Sequence, residues 1–316
     1  MIEATALTKR YGTTVAVDDL SFTVRPGHVT GFLGPNGAGK SSTMRMILGL
    51  DAPTSGSVTV DGQRFADLPS PLHQVGALLD AQAVHGGRTA YAHLNALARS
   101  NGIGASRVQT VLDQVGLSSV AGKRVRGFSL GMKQRLGIAA ALLGDPGILM
   151  FDEPVNGLDP EGVRWIRELF HQLAAEGRTV LVSSHVMSEM ARTAHHLLII
   201  GRGRLIADTS VTEFVAAAGA TRLVVRSGGD GELARLLLSG GANVESASVQ
   251  AGLIVTGVSV EDVGDIAANH HLPIYELRTE HPSLEEAFMQ LTEDEADYRA
   301  TVGSRTARPA FRPDYL

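Results

Sequence analysis

Apolar and polar positions follow two periods along this chain, and each change of period marks an element. Residues 1–33 hold short strand-like runs, IEATAL, TTVAV and LSFTV, separated by turn residues and ending on Arg25-Pro26-Gly27. They predict β-strands. HVTGFL (28–33) predicts a further strand, MRMILGL (44–50) a helix, and SVTVDGQRF (57–65) a hairpin turning on Asp61-Gly62. Residues 89–144 change character: TAYAHLNALARS and SRVQTVLDQVG have helical spacing and predict a helical insert. ILMF (148–151) is short and wholly apolar, as a buried parallel strand should be. A helix from about Glu161 to Ala175, the strand TVLVSS (179–184), a short helix, and the strands HLLII and GRLIAD complete an α/β pattern. Ser210 and Glu213 predict a capping box that opens a helix near Val211.

The pattern resets around Ala218-Gly219-Ala220. LVV (223–225), a helix through ELARLLLSG, VESAS, LIVT (253–256), a helix from Glu261 to about His270, and IYELR (274–278) follow in the order β-α-β-β-α-β. That order predicts a small ferredoxin-like α+β domain. Pro282 and the pair Ser283 and Glu286 should open a last helix, SLEEAFMQLT. From Glu293 the chain is polar and reads as a tail. The expected division is 1–218, with the helical insert at about 85–144, then 219–293, then the tail 294–316.

The length of 316 residues fits this division into roughly two domains of ~150 residues. Hydrophobic residues make up 44% and charged residues 19%, the balance of a soluble globular chain. The net charge of −5 and the lack of a long Lys/Arg run give no reason to expect a nucleic-acid partner. The absence of cysteine removes disulfides, thiolate metal sites and a cysteine nucleophile, and fits a reducing cytosol. No apolar run approaches the ~20 residues of a spanning helix, and the start of the chain has no signal-peptide pattern.

The chemistry is concentrated in GPNGAGKS (34–41), a match to G-x-x-x-x-G-K-[ST] between a strand and a helix. Gly34, Pro35, Asn36, Gly37, Ala38, Gly39, Lys40, Ser41 and the following Ser42 form the candidate phosphate cradle. Glycines let backbone N–H groups converge on phosphate oxygens, and the next helix aims its N-terminus at the same anion. Lys40 should reach the outer phosphates and Ser41 should ligate Mg²⁺. ILMFDEP (148–154) ends an apolar strand in two carboxylates. Neighbouring side chains on a strand point to opposite sides, so Asp152 can serve Mg²⁺ while Glu153 polarises a water. GFSLGMKQR (127–135) places Ser129 and Gly131 before a helix beginning near Met132, a second possible anion site. NGLDP (156–160) is a turn carrying Asp159, and His185 follows TVLVSS, where it could sense a γ-phosphate.

Taken in this order, these motifs resemble the nucleotide-binding subunit of ATP-binding cassette (ABC) transporters over about residues 1–218. The resemblance implies a P-loop NTPase cassette with a β-subdomain, an α/β core and a helical insert, followed by the smaller ferredoxin-like domain. It makes FSLGM (128–132) the signature motif, Asp159 the D-loop residue, His185 the switch histidine and Tyr11 of KRYG an adenine-stacking aromatic. The C-terminal part, closing on SLEEAFMQLT, is similar to the extension of drug- and antibiotic-resistance ABC ATPases of the daunorubicin/bacitracin exporter type.

Two departures stand out. The signature reads FSLGM where the family usually has LSGGQ, so Met132 lacks the usual amide. The Q-loop glutamine should fall near VGALLDAQ (75–82), where either Asp80 or Gln82 could take its place as a contact to Mg²⁺ or its water. What the resemblance implies is an ATPase using ATP and Mg²⁺, with Glu153 and His185 catalytic. It would work as a pair of identical cassettes and drive a separate transmembrane permease from the cytoplasmic face of the membrane. Export of a drug, antibiotic or lipid-like compound is the expected task. An importer ATPase, or a non-transport ABC ATPase of repair, translation or assembly, is the alternative.

Overall fold

A computed structural model describes residues 1–217, 222–246 and 252–280, together with 284 and 288. The chain begins with β1 (Ile2–Tyr11), β2 (Thr14–Val24), β3 (Val29–Leu33), α1 (Lys40–Ile47) and β4 (Ser55–Val60). Next come α2 (Pro71–Gln74), β5 (Val75–Leu78), α3 (Ala90–Ser100), α4 (Ala105–Gln114), α5 (Leu130–Leu142), β6 (Ile148–Phe151) and α6 (Pro160–Ala175). Then β7 (Thr179–Ser184), α7 (Met187–Thr193), β8 (His196–Gly201), β9 (Arg204–Ser210) and α8 (Val211–Ala217) follow. The last described elements are β10 (Arg222–Ser227), α9 (Asp230–Ser239), β11 (Asn243–Ser246), β12 (Leu253–Thr256), α10 (Val260–Asn269) and β13 (Ile274–Glu280).

The central sheet has the order β5-β6-β7-β3-β8-β9, parallel except for its β8–β9 edge. Every residue of β3, β6 and β7 is buried. The alternation of β6 explains why its sequence shows no polar face. Leu149 and Phe151 enter a core shared with α3–α6, while Ile148 and Met150 enter a second core shared with β1, β2 and α1. Phe151 stacks on Phe170 of α6 with ring centroids 4.8 Å apart. A smaller antiparallel sheet, β2-β1-β4, closes the second core.

Three local readings are corrected. TTVAV and LSFTV are one strand: β2 runs through Asp18-Asp19, where a left-handed Asp19 (φ 53°) and a register shift absorb the polar pair without a turn. The turn at Asp61-Gly62 forms, with positive φ at both residues, but its second strand does not. Only Gln63 pairs back, in a single bridge to Val60, because β4 takes β1 as its partner. The helix expected from 44 starts at Lys40, which places Lys40 and Ser41 in its first turn.

The last four strands form an antiparallel sheet in the order β11-β12-β10-β13, with α9 and α10 contributing to a third core. In its own strand numbering this is the 2-3-1-4 order of a ferredoxin-like unit. The reset at Ala218-Gly219-Ala220, the cap formed by Pro282, Ser283 and Glu286, and the tail 294–316 lie outside the described residues. The capping box at Ser210 does form: Glu213 N–H donates to Ser210 Oγ (3.1 Å) and Ser210 N–H to Glu213 Oε2 (3.1 Å). No helix among the described residues is long and apolar enough to cross a membrane.

Leu284 is 3% exposed and belongs to the core of α3–α6, not to that of the C-terminal sheet, and Phe288 packs against the same cluster. Leu284 and Phe288 thus supply apolar surface to the nucleotide-site half. Leu284→Ala is expected to cost about 2–4 kcal/mol. Trp165 is half-buried in that cluster, so its fluorescence during urea unfolding reports the change. An unchanged midpoint would contradict this packing.

Candidate functional site

Parallel pairing brings the chemistry to one edge. Leu33 pairs with Ser184 and Phe151 with Val182, so the segments that follow β3, β6 and β7 emerge side by side at the carboxyl end of the sheet. They enclose a cleft of about 220 Å³ lined by Ala16, residues 35–42, Asp152 and Glu153. A larger cavity of about 380 Å³ lies between β2 and the β8–β9 edge, lined by Arg25, His28, His196 and Asp208 among others. The smaller cleft holds the convergent donors and carboxylates, so size does not decide between them.

The glycines of the loop are there for close approach. A Cβ on Gly34 would lie 2.4 Å from the Ile200 carbonyl oxygen, and one on Gly39 would lie 2.5 Å from that of Ala16. Gly39 also caps α1 at φ 103°, without a side-chain bond to the helix, and the first turn carries no acid. Its N–H groups are left to an incoming anion.

Lys40 is 6% exposed. Its Nζ donates to the carbonyls of Gly34 (2.6 Å) and Pro35 (3.3 Å) and stands 3.8 Å from Glu153 Oε1. Burial holds its pKa below the ordinary lysine value, while Glu153 and Asp152 pull in the opposite direction. Beside it, Ser41 Oγ donates to Asp152 Oδ2 at 2.6 Å. Ser183 Oγ donates to the other oxygen, Asp152 Oδ1, and accepts the Glu153 N–H at 2.9 Å. Glu153 has a left-handed backbone, φ 48°, and its carbonyl accepts from Gln134 Nε2 at 3.3 Å. His185 Nδ1 is 2.8 Å from Glu153 Oε2. With Glu153 ionised, that nitrogen carries the proton and donates.

Lys40, Ser41, Asp152, Glu153 and His185 therefore meet in one place. Tyr11, Asp80, Ser129, Gly131 and Asp159 do not line the cleft. Tyr11 OH donates to Asp51 Oδ2 (2.9 Å), and Lys9 Nζ lies 5.0 Å from its ring centroid. Asp80 is exposed, with Oδ1 accepting the Gln82 N–H at 2.7 Å. Ser129 caps α5 by accepting the Met132 N–H (3.2 Å), so that helix starts at Leu130, two residues before the expected point. Asp159 caps α6 through the Gly162 N–H at 2.8 Å. Ala16 and Ser183 were not singled out in the sequence, and Gln134 was quoted only as part of GFSLGMKQR, without a role of its own. Ala16 lines the cleft with its carbonyl close against Gly39, Ser183 meets both acids, and Gln134 comes from α5. The register of β7 against β6 was the signal that could have exposed Ser183: strand neighbours at the same height share a face.

The arrangement fits a nucleotide with its metal. Ser41 Oγ and an Asp152 carboxylate, both oxygen donors, share one point beside the phosphate cradle. Among the described residues no cluster of three or more His, Asp or Glu makes a metal site of its own. Ser41 and Asp152 would hold a cation whose remaining oxygen ligands come from substrate phosphates and water.

Comparison with known proteins agrees with this geometry. The family described as ABC transporter matches residues 17–156, and a domain of unknown function (DUF8746) matches 221–285. The bacitracin transport ATP-binding protein BcrA of Bacillus licheniformis is 43% identical over 211 residues, covering 66% of this chain and 69% of its own length. Its namesake from Enterococcus faecalis is 34% identical over 297 residues, 92% of this chain and 96% of that protein. Among solved structures, an ATP-binding subunit of an ABC transporter superposes with a TM-score of 0.63 at 28% identity, covering 68% of this chain and 91% of that one. A dimeric bacterial ABC cassette, MJ0796, shares the fold at a TM-score of 0.62 and 24% identity, covering 67% and 99%. With 34% identity over nearly its whole length to one such protein, the chain belongs to the ATP-binding subunits of ABC transporters.

Proposed function

We propose that this subunit hydrolyses Mg-ATP as one half of a homodimer docked on a separate permease at the cytoplasmic membrane face, and that the pair exports an antibiotic. The convergence of Lys40, Ser41, Asp152 and Glu153 in one cleft, with His185 Nδ1 2.8 Å from Glu153 Oε2, carries the catalytic part. The bacitracin and lantibiotic transport proteins among its relatives support the cargo class.

The phosphates of ATP lie against the N–H groups of Gly37 and of residues 39–42, while that of Ala38 is committed to the Pro35 carbonyl (3.1 Å), and the Lys40 ammonium turns from the Gly34 carbonyl toward them. Ser41 and Asp152 would hold Mg²⁺, which when bound would neutralise charge on the phosphates. Glu153 takes a proton from the attacking water, and His185 orients the Glu153 carboxylate through the bond already in place. Ser129, Gly131 and Asp159 lie away from their own cleft. They serve the nucleotide of the second copy, and Tyr11 stacks on adenine. Residues 1–218 form the cassette and 219–293 an accessory domain.

Glu153→Gln is expected to bind ATP within about twofold of the parent while losing at least ~100-fold in turnover, in the range of a lost general base. Light-scattering chromatography with Mg-ATP should then show a dimer that ADP does not support. Normal turnover by this variant would sink the assignment of the base.

Asp80 is proposed to contact the Mg²⁺ water shell, since a carboxylate binds a hard cation more strongly than an amide. Its bond to the Gln82 N–H fixes the loop that presents it. Asp80→Ala should raise the Mg²⁺ concentration for half-maximal ATPase several-fold, by roughly 1 kcal/mol, and Gln82→Ala should not. The reverse pattern would transfer the role to Gln82.

A further inference from the structure

Glu153 is held in a conformation that costs energy. A glutamate at φ 48° lies in the left-handed region, where an L side chain crowds its own backbone. Such a residue stays there only if its surroundings fix the peptide groups on both sides. Here they do. The Glu153 N–H donates to Ser183 Oγ at the end of β7, and the Glu153 carbonyl accepts from Gln134 Nε2.

The second partner has an unusual position. Gln134 is 4% exposed on α5, and its other turns are packed by Leu136, Ile138 and Ala139. The same helix starts at Ser129. Its N-terminus is also locked to the segment after Glu153, where a Cβ on Gly131 would lie 2.9 Å from the Gly157 carbonyl oxygen and one on Gly157 would lie 2.3 Å from Leu130 Cδ2. A shift of the Ser129 turn cannot leave the Glu153 peptide untouched, because Gln134 is one and a half turns further along one helix.

We propose that Gln134 is a positioning residue. It holds the Glu153 carbonyl, keeps the carboxylate aimed into this chain's cleft, and makes that aim depend on the helix whose first turn meets the partner's nucleotide. Gln134 thereby links the two ATP sites of a dimer through a hydrogen bond inside one chain. This inference rests on the reading of Glu153 as the base.

Gln134→Met keeps side-chain length and apolar packing and removes the donor. It should lower kcat by roughly tenfold, the worth of about one hydrogen bond, with the ATP dissociation constant and thermal midpoint close to those of the parent. Like Glu153→Gln, it should accumulate the Mg-ATP dimer, because binding and closure persist while hydrolysis lags. Gln134→Glu has the shape of glutamine but sets an acceptor against the carbonyl, so its kcat should fall below that of Gln134→Met. This ordering by donor chemistry is one that loss of packing does not produce. Should the methionine variant fail to fold, the glutamate variant carries the same kcat-against-binding comparison. Parent-like kcat in either folded variant overturns the proposal, as does a rate loss matched by an equal loss of ATP affinity. Glu153→Gln is run alongside. If it also turns over normally, the reading of the base has failed and the proposal falls with it. If it is dead while the Gln134 variants are fully active, only the link through Gln134 is wrong.

Discussion

A buried lysine sets the terms for the whole site. Removing an ammonium from water costs several kcal/mol even after relaxation. Against this, Glu153 Oε1 at 3.8 Å returns about 4 kcal/mol at the effective dielectric of a protein interior near its surface. The two nearly cancel, and burial keeps the advantage, since the Lys40 pKa lies below its ordinary value despite two carboxylates close by. A bound polyanion would add a further opposite charge to the cradle. Carbonyl oxygens of Gly34 and Pro35 hold the ammonium meanwhile, and that is possible only because glycine lets the loop fold back so tightly. The sheet has to deliver Asp152 and Glu153 to the same point, so the strand order follows from the same need.

The delivery depends on register. Phe151 pairs with Val182, which sets Asp152 level with Ser183. Both oxygens of Asp152 then have a donor, Ser41 on one side and Ser183 on the other. A slip by one residue would turn Ser183 into the opposite core and bring Val182 to the acid, burying an unpaired hydroxyl and stranding a carboxylate. Burial on both faces of β6 and β7 makes such a slip costly. The hydrophobic core thus performs a catalytic service without touching the substrate.

This explains which parts were legible in the sequence. GPNGAGKS, FDEP and His185 could be read because their chemistry is local: a turn that only glycine permits, or a polar side chain at the end of an apolar run. The β-α-β-β-α-β order was legible from periodicity, and the four-stranded sheet follows it. Ser183 and Gln134 were hidden for the opposite reason. Nothing near Ser183 distinguishes it from Ser184, and only pairing with another strand does so. Gln134 sits in MKQRLG like any polar helix residue, and its burial is a property of α5 against the segment after β6. The missed break in the Asp61 hairpin has the same origin, since the choice of β1 as partner is made elsewhere in the chain.

The distribution of the remaining motif residues has a mechanical consequence. Ser129 and Asp159 each cap a helix, α5 and α6, while lying outside the cleft their own chain forms. A cap is a rigid mount, because the side chain is committed to a backbone N–H of the helix it starts. Between those two mounts runs the segment that begins with Glu153, tied to α5 by Gln134 and by the tight contact of Gly131 with Gly157. Glu153 and the two exposed caps are thereby tied to one another. In the proposed dimer, displacing these mounts on closure over a second nucleotide would displace Glu153, so hydrolysis at one site would depend on the surface the subunit offers to its neighbour.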